Sequence, residues 1–266
     1  MRSGMVQAEW CTIRSMSNLD FGYPWWLNYG HMSVAGVSLA ALILAFVLKS
    51  PKWLMILIGA VTLWSGSVAV LVCLFGLNTV PELPTQSFFR SDSGRVLDMG
   101  AGTGRSSIMV LQARPHATLV ASDLFAESFD QHFGHSDSPQ QRLITNLKVA
   151  GVEQRATVET ADMRKLPFED ASFDALVSSY AVDHLSRDGI KQALGEAARV
   201  VKPGGDFLLM LVANDKWLKL AFGPMAMHGG FGRDPEWWST RAKEAGFQVQ
   251  EQGTAPITLY LLLRRV

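Results

Sequence analysis

The stretch VLDMGAGTGRSS, Val96 to Ser107, constrains this chain more than any other: an apolar run reaches Asp98, and glycines follow at 100, 102 and 104. A strand that enters a helix through such a turn places the turn at the carboxyl edge of a sheet. There a backbone without side chains can approach a ligand. A dinucleotide fingerprint needs its third glycine at position 105, which is Arg105, and the Gly-Lys-Ser/Thr ending of a phosphate loop is also missing.

The front of the chain carries most of its apolar excess. Of the 266 residues 48% are hydrophobic, yet from Phe21 to Leu48 the only Asp, Glu, Lys, Arg or His is His31, and from Trp53 to Leu77 there is none. Each stretch reaches the roughly 20 apolar residues that cross a bilayer core. Trp25, Trp26 and Tyr29 open the first and Trp53 the second, as interfacial aromatic rings do. Two buried core helices are the alternative, disfavoured by about 50 nearly uncharged residues broken only by KSPK. We expect a transmembrane hairpin over residues 23–78, after an N-terminal segment 1–22. A cleaved signal peptide fits poorly, because a second apolar stretch follows at once. Lys49 and Lys52 between the spans would put that loop in the cytoplasm, whereas Arg2, Arg14, Arg90 and Arg95 flank the hairpin's outer ends.

Lys and Arg total 24, as do Asp and Glu, so no charge excess points to nucleic acid. Cys11 and Cys73 support neither a disulfide framework nor a cysteine metal site, and no metal is expected. Oligomeric state is not legible. Asn78 to Gly94, rich in Pro, Ser and Thr, reads as a linker over residues 79–94. Beyond Arg95, strand-like runs (RVLDM, TLVASD, ATVETAD, FDALVSSY, DFLLMLVA) alternate with helical ones, and a Pro-Gly-Gly turn leads into the fifth run. This pattern predicts an α/β, doubly wound, mostly parallel seven-stranded sheet over residues 95–266. FQVQEQG and ITLYLLLRR, joined by a short turn, should close it as an antiparallel hairpin. A chain beginning near Ser91 is expected to fold alone and to bind the ligand of the glycine turn.

Asp98 beside the glycines would repel a pyrophosphate but suits a ligand bearing an ammonium and a sulfonium, so charge favours S-adenosylmethionine. Within LVASDLF, Asp123 ends the second strand, 25 residues after Asp98, where a carboxylate suits both ribose hydroxyls. ADMRKLPFEDASFDALVSSYAVDHL supplies Asp162, then a fourth strand ending in Ser178, Ser179 and Tyr180, and ARVVKPGGDFLLML follows. With these motifs the chain from Arg95 resembles the class I S-adenosylmethionine-dependent methyltransferases, a Rossmann-like fold, and in particular the branch of quinone-biosynthesis C-methyltransferases. The resemblance covers most of residues 95–210; the hairpin lies outside the family's common core. It implies that Gly100, Ala101, Gly102, Thr103 and Gly104 surround the methionine part of the cofactor, with Asp98 near its amino group. It further implies that Asp123 with Leu124 holds the ribose, that Asp162 with Met163 meets the adenine, and that Ser178 and Ser179 border cofactor and acceptor. S-adenosylhomocysteine would be the product. A helix N-cap is the alternative for Asp162.

A sulfonium methyl is already activated, so alignment and water exclusion matter most, and a base matters only where the acceptor keeps its proton at neutral pH. Candidate bases and acceptor contacts are Tyr180, Asp183, His184 and, in the long insert Asn214 to Trp238, His228. Asp183 stands where related sequences often carry a histidine. A cap for Asp183 and packing beneath the next helix for His184 remain open. The leading expectation is an integral membrane methyltransferase, its catalytic domain on the cytoplasmic face where the cofactor is made, acting on a small lipophilic quinol, lipid or thiol acceptor. The alternative is a membrane scaffold that binds S-adenosylmethionine without catalysis. A dehydrogenase fails on the glycine spacing.

Overall fold

The computed structural model describes residues 18–125, 138–216, 218–219, 233–255 and 257–266. Two long helices come first, α1 (Trp25–Val47) and α2 (Lys52–Phe75), each holding an 18-residue stretch of high mean hydropathy, 1.9 and 2.2. Both are long and apolar enough to cross a membrane. Their outer surface is apolar: Val37 is 71% exposed, Phe46 74% and Leu63 75%. A water-soluble core helix buries such residues, whereas lipid solvates them. Polar side chains turn inward or onto their own backbone. Thr62 Oγ1 donates to Ser38 Oγ at 2.9 Å and Ser65 Oγ donates to the Val61 carbonyl at 2.8 Å, which satisfies these groups without water.

The remainder alternates as the sequence pattern requires: β1 (Ser93–Met99), α3 (Arg105–Ala113), β2 (His116–Asp123), α4 (Pro139–Val149), β3 (Ala156–Thr160), β4 (Phe173–Ser179), α5 (Arg187–Val200), β5 (Val201–Val212), α6 (Pro235–Glu244), β6 (Phe247–Ala255) and β7 (Thr258–Arg265). The seven strands lie in the order β3-β2-β1-β4-β5-β7-β6. All pairs are parallel except those of β7, which runs antiparallel to both β5 and β6. Alternate residues of one strand enter opposite cores. Leu208 and Met210 of β5 face the layer holding Ile108 and Leu143, while Phe207, Leu209 and Leu211 face Leu194 and Trp238. The strand order reverses between β1 and β4, and ligands in such sheets bind outside the carboxyl ends at that point.

Two sequence expectations change in detail. Pro203-Gly204-Gly205 is a bulge inside β5 rather than a turn before it: Phe173 pairs with Val201 but Ala175 pairs with Asp206, and Gly204 absorbs a φ of +75°. The stretch read as a linker is packed into the domain. Phe88 is fully buried, the Phe89 N–H donates to Asp206 Oδ2 at 2.9 Å, and the buried Arg114 guanidinium holds the carbonyls of Gln86, Phe88 and Phe89. A chain that starts at Ser91 would lack Phe88 and leave the Arg114 guanidinium without those partners. Emptying a phenylalanine site alone costs about 3–5 kcal/mol. The truncation should therefore melt far below the parent's domain or fail to fold. A start before Leu83, which is itself buried, should recover much of the loss. Thermal unfolding of the two truncations decides this, and equal melting points would show that the segment contributes nothing.

Candidate active site

The carboxyl end of β1 runs into the glycine turn, and three elements converge on Gly100. A Cβ there would lie 2.3 Å from Ala181 Cβ, just after β4, and 2.8 Å from Met163 Cε, after β3. The turn is held from within. The N–H groups of Gly100 and Ala101 both donate to the Ser122 carbonyl, at 2.8 and 3.0 Å, and that of Gly104 donates to Ala101. The Gly102 N–H donates to Asp123 Oδ2 at 2.9 Å. A phosphate nest needs free N–H groups. Here those of Gly100, Ala101, Gly102 and Gly104 are engaged, and two carboxylates stand nearby. The arrangement suits a cationic cofactor with ribose hydroxyls better than a pyrophosphate.

Asp123, half-buried at the end of β2, also accepts from the Phe125 N–H at 2.9 Å, which leaves acceptor capacity on both oxygens for vicinal hydroxyls. Leu124 follows it and is exposed. Asp98, on β1, turns toward the first turn of α3: Oδ2 accepts from Ser106 Oγ at 2.8 Å and Ser107 Oγ at 2.6 Å, and Oδ1 is buried with no partner among the described residues. Burial pushes its pKa up to about 7, against the pull of the two serine hydroxyls and with a smaller push from the Asp123 charge. A carboxyl whose folded pKa is raised stabilises the fold at low pH. That contribution is lost as pH rises from the unfolded value near 4 toward 7, on the order of a few kcal/mol. Asp98→Asn keeps an acceptor for both serines and carries no charge. The parent's melting point should fall between pH 5 and pH 8, and the variant's should fall less over this range because only the share of the buried Asp183 remains; parallel pH profiles would refute the assignment.

Ser178 Oγ donates to the Met99 carbonyl at 2.6 Å, which pins β4 to β1, and Ser179 follows at the strand end, opposite Met210. Tyr180, at φ +53°, turns its ring inward, hydrogen-bonded through its hydroxyl to Thr258 Oγ1. Burial raises its pKa to about 12, which suits a wall of the site better than a base. Asp183 is buried: Oδ2 accepts from the Val212 N–H at 3.3 Å and Oδ1 has no partner among the described residues. Burial raises its pKa, opposed by the charges of His184 and Arg233. The His184 side chain is exposed, so the two neighbours face different surroundings. Asp162 forms a tight turn: its carboxylate accepts from the Arg164 N–H at 2.9 Å and pairs with the guanidinium at 2.6 Å, so its pKa falls. Met163 beside it packs against the core. His228 lies outside the described residues.

The sequence alone gave no role to two arginines at this site. Arg233 Nη1 donates to the Asp183 carbonyl at 3.3 Å, with its guanidinium over Trp237 at 5.0 Å. Arg105, where a dinucleotide site would need glycine, reaches back to the foot of α2: Nε donates to the Thr79 carbonyl and Nη2 to those of Phe75 and Gly76, at 2.9, 3.1 and 2.8 Å. The Phe75 ring in turn meets Tyr180 edge to face at 5.8 Å. The only sequence signal was the broken fingerprint, because the partners lie 26 to 30 residues upstream.

A seven-stranded sheet with an antiparallel β7, carrying an acidic glycine turn at its switch point, defines the class I S-adenosylmethionine-dependent methyltransferase fold, and known proteins agree. Residues 96–205 match the family model of a methyltransferase domain. A ubiquinone/menaquinone biosynthesis C-methyltransferase from Bartonella tribocorum is 32% identical over 139 residues, covering 50% of this chain and 48% of that protein. A demethylmenaquinone methyltransferase from Roseiflexus castenholzii is 30% identical over 151 residues, covering 54% and 56%. The chain thus spans about half the length of the curated relatives it matches. An O-methyltransferase family protein from Burkholderia thailandensis superposes with a TM-score of 0.56 at 17% identity, over 77% of this chain and 60% of that one. An O-methyltransferase family 2 protein from Planctomyces limnophilus, in complex with apigenin, gives 0.54 at 17%, over 79% and 69%. At such identity the likeness is one of fold. Residues 96–205 of this chain thus carry a methyltransferase domain, within a sheet that has the class I S-adenosylmethionine-dependent methyltransferase fold.

Proposed function

We propose that the protein is a membrane-anchored methyltransferase that carries the methyl of S-adenosylmethionine to a small lipophilic acceptor of the quinol, lipid or thiol class. The observation that carries this reading is the contact of Phe75 with Tyr180: the last residue of an apolar, lipid-compatible helix touches the residue that follows β4 at the site. An acceptor dissolved in the bilayer would travel a short way along that helix. The relatives named for ubiquinone, menaquinone and demethylmenaquinone bring the quinol class forward. Cofactor supply favours a catalytic domain on the cytoplasmic face, with the loop carrying Lys49 on the far side.

When bound, the cofactor supplies a methyl already activated on sulfur. The chain's part is to hold and to exclude. Asp123 would take the ribose hydroxyls, the glycine turn would admit the methionine part, and Met163 would stand beside the adenine. Ser178 and Ser179 would border cofactor and acceptor, and Asp183 would receive the acceptor's proton as the new bond to carbon forms and the sulfur–carbon bond breaks.

Mass spectrometry of products formed from isotopically labelled S-adenosylmethionine, with membrane lipid extracts and a panel of quinols and thiols, tests this reading. A labelled lipophilic product formed by the parent, and reduced with Asp123→Ala, supports it. Binding of S-adenosylhomocysteine without any labelled product would favour the scaffold instead. Asp123→Ala should weaken S-adenosylhomocysteine binding by about 1.5–3 kcal/mol, the scale of hydrogen bonds to a charged group. Unchanged affinity in calorimetry would remove Asp123 from the site.

A further inference from the structure

The turn expected to hold the cofactor also grips both feet of the helical hairpin. On one side, Thr103 Oγ1 donates to the Phe21 carbonyl at 3.1 Å. Asn146 Nδ2 bridges the carbonyls of Thr103 and Asp20 at 2.9 and 2.7 Å, and its Oδ1 accepts from the Asp20 N–H at 3.0 Å. Leu19 and Phe21 are buried in the same core as Ala101. On the other side, the Arg105 fork takes the carbonyls at the end of α2, with its Cζ 4.6 Å from the Phe75 ring centre. A cation there meets the negative end of the helix dipole and satisfies carbonyls that a helix terminus otherwise leaves unpaired. Gly76, in the left-handed region at φ +61°, lets the chain turn so that its carbonyl and that of Thr79 also face the guanidinium.

We propose that Arg105 is a positioning residue that makes cofactor affinity depend on the docking of the membrane hairpin. The inference rests on the reading of the turn as the S-adenosylmethionine site. Thr103 and Arg105 flank Gly104, so the turn cannot shift without pulling on residues 20–21 or 75–79. Conversely, a hairpin that lifts from the domain leaves the turn only its inner hydrogen bonds to Ser122, Asp123 and Ala101. Two sites that bias one element are coupled, and the coupling is reciprocal: whatever affinity the docked hairpin adds to cofactor binding, the cofactor returns to docking.

The test uses the full chain in phosphatidylcholine nanodiscs with S-adenosylhomocysteine as probe. Arg105→Met should weaken its binding in calorimetry at least fivefold, the lower end of common coupling factors. Arg105→Lys keeps the charge but not the planar fork and should also weaken it at least fivefold; parental affinity in the lysine variant would overturn the clamp. Hydrogen exchange supplies the reciprocal readout. S-adenosylhomocysteine should slow exchange of the Gly76 and Thr79 amides in the parent and leave it unchanged in Arg105→Met. No slowing in the parent would overturn the proposal whether or not the variants fold. A parent that binds no S-adenosylhomocysteine would instead overturn the cofactor reading itself.

Discussion

Gly100→Ala should abolish S-adenosylhomocysteine binding within the sensitivity of calorimetry, a loss of more than 100-fold, and should lower the melting point. Gly100 sits at φ +82°, where an L-residue pays about 1–2 kcal/mol. The added methyl would also meet Ala181 Cβ at 2.3 Å and Met163 Cε at 2.8 Å. Met163 can swing its flexible end away, but Ala181 opens the short turn Val182–His184 and its methyl moves only with the backbone. Overpacking of this kind costs about 1–3 kcal/mol. The relaxation must displace either the glycine turn or the turn bearing Asp183, and both face the site. Gly151→Ala is the control. Gly151 has φ +69°, but a Cβ there finds no atom within 4 Å, so only the backbone term of about 1 kcal/mol is expected, with binding intact. Similar melting points and affinities for the two variants would show that Gly100 is no cradle.

The contrast between these glycines shows what the sequence could and could not disclose. The glycine turn was legible because its letters are local: strand, acid, glycines and helix follow one another within twelve residues. The parallel alternation and the final β6–β7 hairpin were legible from apolar runs and short turns for the same reason. Phe88 was hidden because an irregular segment has no period; its burial depends on Arg114, 26 residues later. The Pro-Gly-Gly turn slid inside β5 because β4 continues past it to Phe173, and pairing captured the flanking Val201. Asp162 was ambiguous in sequence, and the structure shows a local turn closed by Arg164, two residues on. The clamp by Arg105 reaches the end of an apolar helix, a contact set by tertiary packing that no spacing rule encodes.

Asp183→Asn should cut turnover at least 100-fold, the lower bound for a useful base, with S-adenosylhomocysteine affinity within threefold of the parent. The geometry gives Asp183 an unpartnered, buried Oδ1 after β4, while the groups assigned to the cofactor's ribose and amino acid lie on β1, β2 and their turns. Burial raises its pKa, so the ionised form, the one able to accept a proton, fills only as pH climbs through that raised value. The parent's turnover should therefore rise along an acid limb that the asparagine variant lacks. With a thiol acceptor the deficit should shrink above about pH 8.5, where the thiolate forms unaided. Stability separates this from damage to the fold. A raised folded pKa makes the ionised carboxylate a liability above the unfolded value, so at neutral pH the variant should melt at or above the parent's temperature. The exposed His184 should matter less, and His184→Ala should retain more activity than Asp183→Asn. A folded Asp183→Asn protein with parental turnover and an unchanged acid limb would leave alignment by the turn and the hairpin foot as the whole source of catalysis.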